Sequence, residues 1–233
     1  MLMDARSAIG IGVYTVPEAS RLTGVPRARI HRWLRGYEFA HKGERRRSKP
    51  VWRSQLEPID RQVALGFLDL MEIRFVDAFL KTGLSLAKIR EAAELATELV
   101  GRDHPFSTQK FRTDGRRIFA ELEHSERGER TVYDLERRQF GIYDFIVPSL
   151  LEGVEFDESG QAARWHPEAT APLVVIDPQR QFGQPIVDTG GVQTSVLSDA
   201  FKAEGSIDAV ARWFEIPAEA VEQAVKFELS LAA

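Results

Sequence analysis

The chain has 233 residues, of which 43% are hydrophobic and 28% are charged, and its formal net charge is −4; these values are ordinary for a globular protein with one large domain or two small ones. Because cysteine is absent, disulfides and thiolate metal sites are excluded, and the five histidines show no metal-ligand spacing, so we predict neither a metal nor another cofactor. The absence of cysteine favours the reducing cytoplasm as the location of the protein. No apolar run reaches membrane-spanning length and the N-terminus has no signal-peptide pattern, so we expect no membrane partner.

Residues 15–36 have the pattern of a helix-turn-helix. Thr15 can cap a first helix, and Gly24 can adopt the positive φ of a tight turn. Pro26 then opens a second helix, which Gly36 ends. The inner face of this helix is expected to carry Ile30, Trp33 and Leu34. The second helix is therefore predicted to be a recognition helix.

Positive charge is concentrated in the same part of the chain. Residues 21–53 contain eleven Lys and Arg against two acidic residues, whereas the rest of the chain carries 20 basic and 33 acidic residues. Such asymmetry indicates that one part of the protein binds a polyanion, although a solvated basic surface would give the same count.

Residues 37–53 are interpreted as a wing, that is, a hairpin beside the recognition helix. The β-prone pieces YEF and VW flank the polar stretch HKGERRRSKP, whose cations are expected at the hairpin tip. A disordered basic loop is the alternative interpretation of this stretch.

Double-stranded DNA is the polyanion that this arrangement favours. The N-terminal half of a recognition helix enters the major groove, where arginine can form bidentate hydrogen bonds to guanine. The candidates for base contacts are Arg27, Arg29, His31 and Arg32. The candidates for phosphate contacts are Arg35, Arg53 and the wing residues Lys42, Arg45, Arg46, Arg47 and Lys49.

Two amphipathic helices are predicted next, one from about Gly66 to Gly83 and one from Ser85 to about Gly101. Their apolar residues recur at steps of three and four, as in helices that pack on a core. The inward residues are expected to be Leu68, Met71, Phe75, Val76 and Phe79 in the first, and Ile89, Ala92, Ala93, Ala96 and Leu99 in the second. We place the end of the N-terminal DNA-binding domain at residue 104.

Residues 105–167 are predicted to form a small β-rich region, with turns at Asp114–Gly115 and 125–130 and a hairpin around Glu158–Gly160. A linker at 166–173 leads to a C-terminal domain, residues 168–233. This domain is expected to contain two short strands, at 173–178 and 186–187, and three helices that begin near Thr194, Ser206 and Pro217. The predicted fold class is α+β and mainly helical, with a small winged-helix-like C-terminal domain.

The chain offers no constellation typical of an enzyme. The glycine-containing loop 183–191 lacks the Lys-Ser/Thr ending of a P-loop and the spacing of a dinucleotide fingerprint, so a turn between two strands is favoured. The carboxylates fall on helix faces expected to be exposed, and no nucleophile-base pair is recognisable. We therefore predict no catalytic residues.

Two segments resemble known families. "YTVPEASRLTGVPRARIHRWLRG", the basic wing and "LGFLDLMEIRFVDAFLKTGLSLAKIREA" resemble the MerR/excisionase-type winged helix, with Ala28 in place of the usual arginine and Arg32 in place of the usual tyrosine. "IDPQRQFGQPIV", "AEGSIDAVARWF" and "IPAEAVEQAV" resemble the family catalogued as domain of unknown function 433. Together the two modules resemble a VapB-type antitoxin of a VapBC toxin–antitoxin pair.

The resemblance implies a function with two parts. The N-terminal module would bind operator DNA and repress the protein's own operon, and the chain would neutralise a PIN-like ribonuclease toxin by direct binding. Arg137 and Arg138 are candidates for toxin contact because paired arginines could neutralise the toxin's carboxylates, although a solvated turn is the simpler interpretation. A homodimer is expected, with its contact in residues 174–233.

Two other functions fit the residues. A stand-alone MerR-like transcriptional regulator would need a ligand-responsive middle domain with a closed pocket. A scaffold would use the basic helix only to dock an acidic protein, and its binding would lack the salt dependence of phosphate contacts.

Overall fold

The structure is a computed structural model that describes residues 10–41, 43–111 and 150–232. The helices are α1 (Val16–Thr23), α2 (Arg27–Arg35), α3 (Phe67–Lys81), α4 (Leu86–Val100), α5 (Thr194–Glu204), α6 (Ile207–Phe214) and α7 (Ala218–Ser230). The strands are β1 (Tyr14–Thr15), β2 (Tyr37–His41), β3 (Glu44–Ser48), β4 (Ala64–Leu65), β5 (Val154–Phe156), β6 (Ala162–Trp165), β7 (Val174–Ile176) and β8 (Pro185–Val187). The α+β, mainly helical class is confirmed. The predictions for Lys42, the turns at 114–115 and 125–130, Arg137 and Arg138 lie outside the described residues.

The helix-turn-helix is confirmed, with its caps in the predicted places. The Thr15 hydroxyl accepts a hydrogen bond from the backbone N–H of Glu18, whose carboxylate accepts one in return from the Thr15 N–H, which makes a capping box. Gly24 follows α1 in the left-handed conformation, with φ of 70°. In α2, Ile30 and Trp33 are buried and Leu34 is partly buried, as expected.

The wing is confirmed as a hairpin, but its second strand differs from the prediction. β2 and β3 pair antiparallel from Tyr37 opposite Ser48 to His41 opposite Glu44. The basic stretch itself therefore contains the return strand, because residues 44–48 pair with β2, and its arginines alternate between the two faces of the hairpin. Val51 and Trp52, predicted to be that strand, are instead buried in the core after it.

The two long helices of the N-terminal half are confirmed at α3 and α4. β1 pairs with β4, which places the start of α1 beside the start of α3. The Ser85 hydroxyl caps α4, and Gly101 ends it in the left-handed conformation. The prediction that Leu99 faces inward is wrong. Its side chain is exposed, because it lies in the last turn of α4 beyond the packed stripe.

The C-terminal part is built on an antiparallel sheet in the order β5-β6-β7-β8. The predicted hairpin around Glu158–Gly160 forms the β5–β6 connection. β6 pairs with β7, so the segment 166–173, interpreted as a linker, connects two neighbouring strands of one sheet. The three predicted helices are present as α5, α6 and α7, and they pack around Val187, Leu197, Val210 and Val221.

A single core joins the two parts of the chain. Phe75, Phe79, Phe106 and Phe111 form an aromatic cluster with ring centroids 4.9–6.4 Å apart. This core continues without interruption into β6, β7 and α7. The Tyr14 hydroxyl adds a direct link, because it donates to the carbonyl oxygen of Gly183 over 2.7 Å. The helix-turn-helix is thus fixed against the C-terminal part.

Candidate nucleic-acid interface

The structure places all the described cations of the predicted DNA-binding set on the surface of α2, the wing and the segment after it. Arg27 begins α2 and Arg35 ends it, while Lys49 follows β3. The exposed members are Arg27, Arg29, His31, Arg32, Arg35, Arg45, Arg46, Arg47, Lys49 and Arg53. None of these side chains is buried, so a polyanion can approach them, although Arg29 is paired with a buried carboxylate.

The exposed side of α2 has two edges. Arg27, His31 and Arg35 follow one another at steps of four residues and therefore share one edge, whereas Arg29 and Arg32 share the other. Both edges flank Ala28, whose small exposed side chain leaves room for close approach. This division matters because the two edges have different partners within the protein.

Arg29 is held by a carboxylate of α3. Its Nη1 lies 3.3 Å from Oδ1 of Asp77, and Nζ of Lys81 lies 2.7 Å from the other carboxylate oxygen. The Asp77 side chain is only 6% exposed, whereas that of Arg29 is 53% exposed. The pair braces the recognition helix against α3 and leaves part of the Arg29 guanidinium open to solvent.

Arg32 is fixed by the wing. Its guanidinium carbon lies 4.2 Å from the centre of the Tyr37 ring, in a cation–π contact. Tyr37 in turn packs beside Phe39, with ring centroids 5.8 Å apart. Because Tyr37 is the first residue of β2, this contact fixes the start of the wing to the recognition helix.

The wing arginines lie along β3 rather than at the hairpin tip, which contains Gly43. Arg46 points to the same face as Tyr37 and makes an exposed ion pair with Glu44, at 3.4 Å. Arg45 and Arg47 share the opposite face. In the described part of the chain, the side chains of Arg45 and Arg47 make no hydrogen bond or ion pair, so both remain available to a ligand.

The edge of α2 that carries Arg27, His31 and Arg35 has less positive charge than its residue types suggest. Partial burial, and then the positive charge of Arg35, lower the pKa of His31 below its ordinary value, so its imidazole is neutral at physiological pH. Neutral imidazole can donate one hydrogen bond and accept another. Arg35 donates to the carbonyl oxygen of Arg61 over 3.4 Å.

Comparisons with known proteins agree with this geometry. Residues 12–93 match the family model described as "Putative DNA-binding HTH domain". The chain is 30% identical over 213 residues to the "Putative antitoxin VapB45" of Mycobacterium tuberculosis (strain ATCC 25618 / H37Rv), a match that covers 86% of this chain and 87% of that protein. The chain belongs to the VapB antitoxin family. The X-ray crystal structure of Rv2018 from M. tuberculosis has the same fold, with a TM-score of 0.71, 23% identity and coverage of 93% of this chain and 99% of that one.

The position of the wing on this VapB-family protein depends on Gly36. Its φ of 70° and ψ of −176° belong to a region that only glycine adopts readily. A Cβ atom added there would lie 2.1 Å from the carbonyl oxygen of Ser48, the last residue of β3. No side chain fits without moving the return strand of the wing.

We expect Gly36→Ala to lower the free energy of unfolding by about 2–3 kcal/mol, because it combines backbone strain with overpacking. Gly24→Ala is a matched control, since Gly24 also has φ of 70° but a Cβ atom there would meet nothing within 4 Å; it should cost about 1 kcal/mol. Urea denaturation measures both values. Equal losses in the two variants would contradict the role given to the Gly36–Ser48 approach.

Sequence analysis missed a buried polar cluster behind the wing. Asp69 on α3 is fully buried, and its carboxylate accepts hydrogen bonds from the Trp52 indole at 2.8 Å and the Gly66 backbone N–H at 2.8 Å. It also contacts Ser54, the backbone N–H of Gln55 and the imidazole of His104. Asp69 thus fixes the segment that returns from the wing to α3.

A second buried carboxylate lies one turn further along α3. Burial raises the pKa of Glu72 to about 8, although the charge of His104 and the backbone N–H of Ser107 act in the opposite direction. Burial alone would lower the pKa of His104, but its hydrogen bond to Asp69 and the negative charges of Glu72 and Asp69 raise it. The spacing of 69, 72 and 76 on the buried stripe of α3 is the signal that could have revealed these residues.

Within residues 10–41, 43–111 and 150–232, no three or more acidic or histidine side chains are grouped so that they could hold a metal ion. Nor does any helix of these ranges have the length and apolar character needed to cross a bilayer. The glycine-containing loop 183–191 is occupied by the protein itself, because Arg180 donates to Asp188 and packs against Gly191. The interpretation of residues 183–191 as a turn between two strands is wrong, because β8 (Pro185–Val187) lies within them and their glycines flank that strand.

Proposed function

We propose that this VapB-family protein is a non-enzymatic, cytoplasmic antitoxin that represses its own operon by binding operator DNA and neutralises a PIN-like ribonuclease toxin by direct contact. The observation that carries the proposal is the common exposure of the α2 and wing cations on a rigid helix-turn-helix. Family membership supports the antitoxin role.

In the proposed complex, α2 enters the major groove and the wing follows the phosphate backbone. Arg27 and Arg29 are the proposed base-reading residues, with His31 and Arg32 beside them. Among the described residues the Arg27 side chain makes no hydrogen bond or ion pair, so its guanidinium is available to a guanine edge. Phosphate contacts are assigned to Arg35, Lys42, Arg45, Arg46, Arg47, Lys49 and Arg53.

We expect Arg27→Ala to weaken operator binding by about 1–3 kcal/mol and to leave binding to unrelated duplex nearly unchanged, because a lost base contact removes discrimination. Arg29→Ala should have a loss in the same range, and Asp77 should remain paired with Lys81 in that variant. Fluorescence anisotropy with operator and unrelated duplexes measures both effects.

Arg46→Ala is the matched control for these two variants. Because Arg46 is proposed to contact a phosphate, its substitution should weaken binding to both duplexes alike and reduce the slope of log K against log salt by about 0.9. Unchanged operator preference in the double variant Arg27→Ala, Arg29→Ala would contradict the base-reading assignment.

The toxin-binding part is tested by co-expression with the neighbouring gene. A neutralising antitoxin should co-purify with the toxin as a complex without ribonuclease activity, and the activity should return when the antitoxin is removed. The double variant Arg137→Ala, Arg138→Ala should release active toxin if these arginines contact it. If this variant still co-purified with the toxin as a complex without ribonuclease activity, both arginines would be excluded as toxin contacts.

A homodimer is proposed because operators of this type are usually palindromic and a two-fold protein matches two half-sites. The C-terminal unit leaves Trp213 64% exposed and Leu229 62% exposed, on α6 and α7. Large apolar side chains of this kind supply dimer contacts. Light scattering gives the molar mass of the wild type and of Trp213→Ser in solution. If both are dimers, the dimer contact lies elsewhere than at Trp213. If the wild type is a monomer, the proposed homodimer is refuted.

A further inference from the structure

A short hairpin turn lies beside the end of the recognition helix. The backbone N–H groups of Ile59 and Gln62 each donate to the carbonyl oxygen of the other residue, at 3.0 and 2.8 Å. The two residues between them both have positive φ, 48° at Asp60 and 64° at Arg61. This is the geometry of a two-residue type I′ turn, for which asparagine and glycine are the usual residues.

Arginine is an unexpected residue in the second central position. Aspartate visits the left-handed conformation more readily than most residues, which accounts for Asp60. Arg61 has no such preference, and a glycine would adopt the same backbone without strain. A strained residue that persists in a well-fixed turn is evidence that its side chain has a use.

The turn is held against the edge of α2 that carries Arg27, His31 and Arg35. The Arg35 guanidinium donates to the carbonyl oxygen of Arg61 over 3.4 Å, so the two arginines are neighbours. Both side chains are exposed. Immediately after the turn, Ala64 and Leu65 form β4, which pairs with β1 and gives the turn a fixed base.

The recognition helix is therefore flanked on both sides. The wing contacts the edge that carries Arg32, through Tyr37, and the 59–62 turn contacts the opposite edge, through Arg35. A duplex that receives α2 in its major groove presents phosphates on both sides of that groove. The turn adds a cation on the side that the wing does not reach.

We propose that Arg61 is a phosphate-contacting residue of the operator interface and that the 59–62 turn acts as a second, shorter wing. This inference rests on the proposed operator binding. The strained backbone fixes the position of Arg61, and the Arg35 hydrogen bond aligns the turn with the recognition helix.

The test uses the full chain and two duplexes, one that covers the region upstream of its own gene and one unrelated duplex of equal length. Arg61→Gly removes the charge and relieves the backbone strain. It should raise the melting temperature, weaken binding to both duplexes three- to tenfold at moderate salt, and reduce the salt slope by about 0.9. A purely structural residue would not show greater stability together with weaker DNA binding.

Two further variants make the result specific. Arg61→Lys keeps the charge and the strain, and should retain the wild-type salt slope. Arg102→Ala removes an exposed cation near Asp157, away from α2, and should change neither affinity nor slope.

The outcomes separate this inference from the function on which it rests. Absence of salt-dependent wild-type binding to either duplex would refute the proposed DNA binding itself. Wild-type binding with an unchanged slope in Arg61→Gly would refute only the role of Arg61. Equal losses of affinity and slope in Arg61→Gly and Arg61→Lys would show that the charge is not the cause and would also overturn the inference.

Discussion

Asp69→Ala is expected to lower the free energy of unfolding by about 3–5 kcal/mol, the range seen when a buried charge partner is removed. The carboxylate is fully buried and accepts hydrogen bonds from side chains and backbone of three separate segments. Its removal leaves the Trp52 indole and the Gly66 N–H without their acceptor, and each buried donor left unsatisfied costs about 1–3 kcal/mol.

The same substitution should affect DNA binding indirectly. Trp52, Ser54 and Gln55 form the segment that leads from the wing to α3, and all three are held by Asp69. When they loosen, the end of β3 loses its fixed support. We therefore expect the indole N–H signal of Trp52 to broaden or shift in NMR spectra of Asp69→Ala.

Asp199→Ala is the matched control, because Asp199 is an exposed aspartate on α5 whose ion pair is with Lys202. Its effect on unfolding should stay within about 0.5 kcal/mol. Urea denaturation followed by tryptophan fluorescence measures both variants. A loss below about 1 kcal/mol in Asp69→Ala would show that the cluster contributes little.

The local elements of the interface could be predicted from the sequence because their signals are local. A capping threonine, a glycine at positive φ and a proline at the start of α2 act within a few residues of the chain. The same holds for Ser85, Gly101 and Ser206, which cap or end their helices as predicted.

The contacts that orient those elements could not be predicted, because they join distant parts of the chain. Arg29 and Asp77 are 48 residues apart, and the Tyr14 hydroxyl reaches Gly183 across 169 residues. The β-propensities of its residues also fail to predict a charge-rich strand such as β3, because its pairing with β2 rather than its composition makes it a strand. The buried carboxylates of α3 resemble surface residues until Trp52 and His104 are folded against them.

Glu72 gives the second large expected effect, a loss of stability as pH rises. Its pKa is about 8 in the folded protein against an ordinary value of 4.5, so between these values the folded state holds a proton that the unfolded state has lost. Stability must then fall as pH rises through this window. The full shift corresponds to about 4–5 kcal/mol.

His104 acts in the same direction. Its pKa is raised in the folded protein, so its contribution to stability is present at acidic pH and is lost as pH rises through the folded value. The wild-type protein should therefore be most stable on the acidic side of neutrality, and the two residues together should produce the slope above it.

Glu72→Gln separates the two contributions, because glutamine cannot ionise. It also keeps an oxygen acceptor for the Ser107 N–H, which lies 3.1 Å from Oε1 of Glu72 in the wild type. At about pH 9 the free energy of unfolding of this variant should exceed that of the wild type by several kcal/mol. Its dependence on pH should be only the part due to His104. Glu91→Gln on the exposed face of α4 is the control and should follow the wild-type curve. A Glu72→Gln curve as steep as that of the wild type would mean that Glu72 does not titrate in this range.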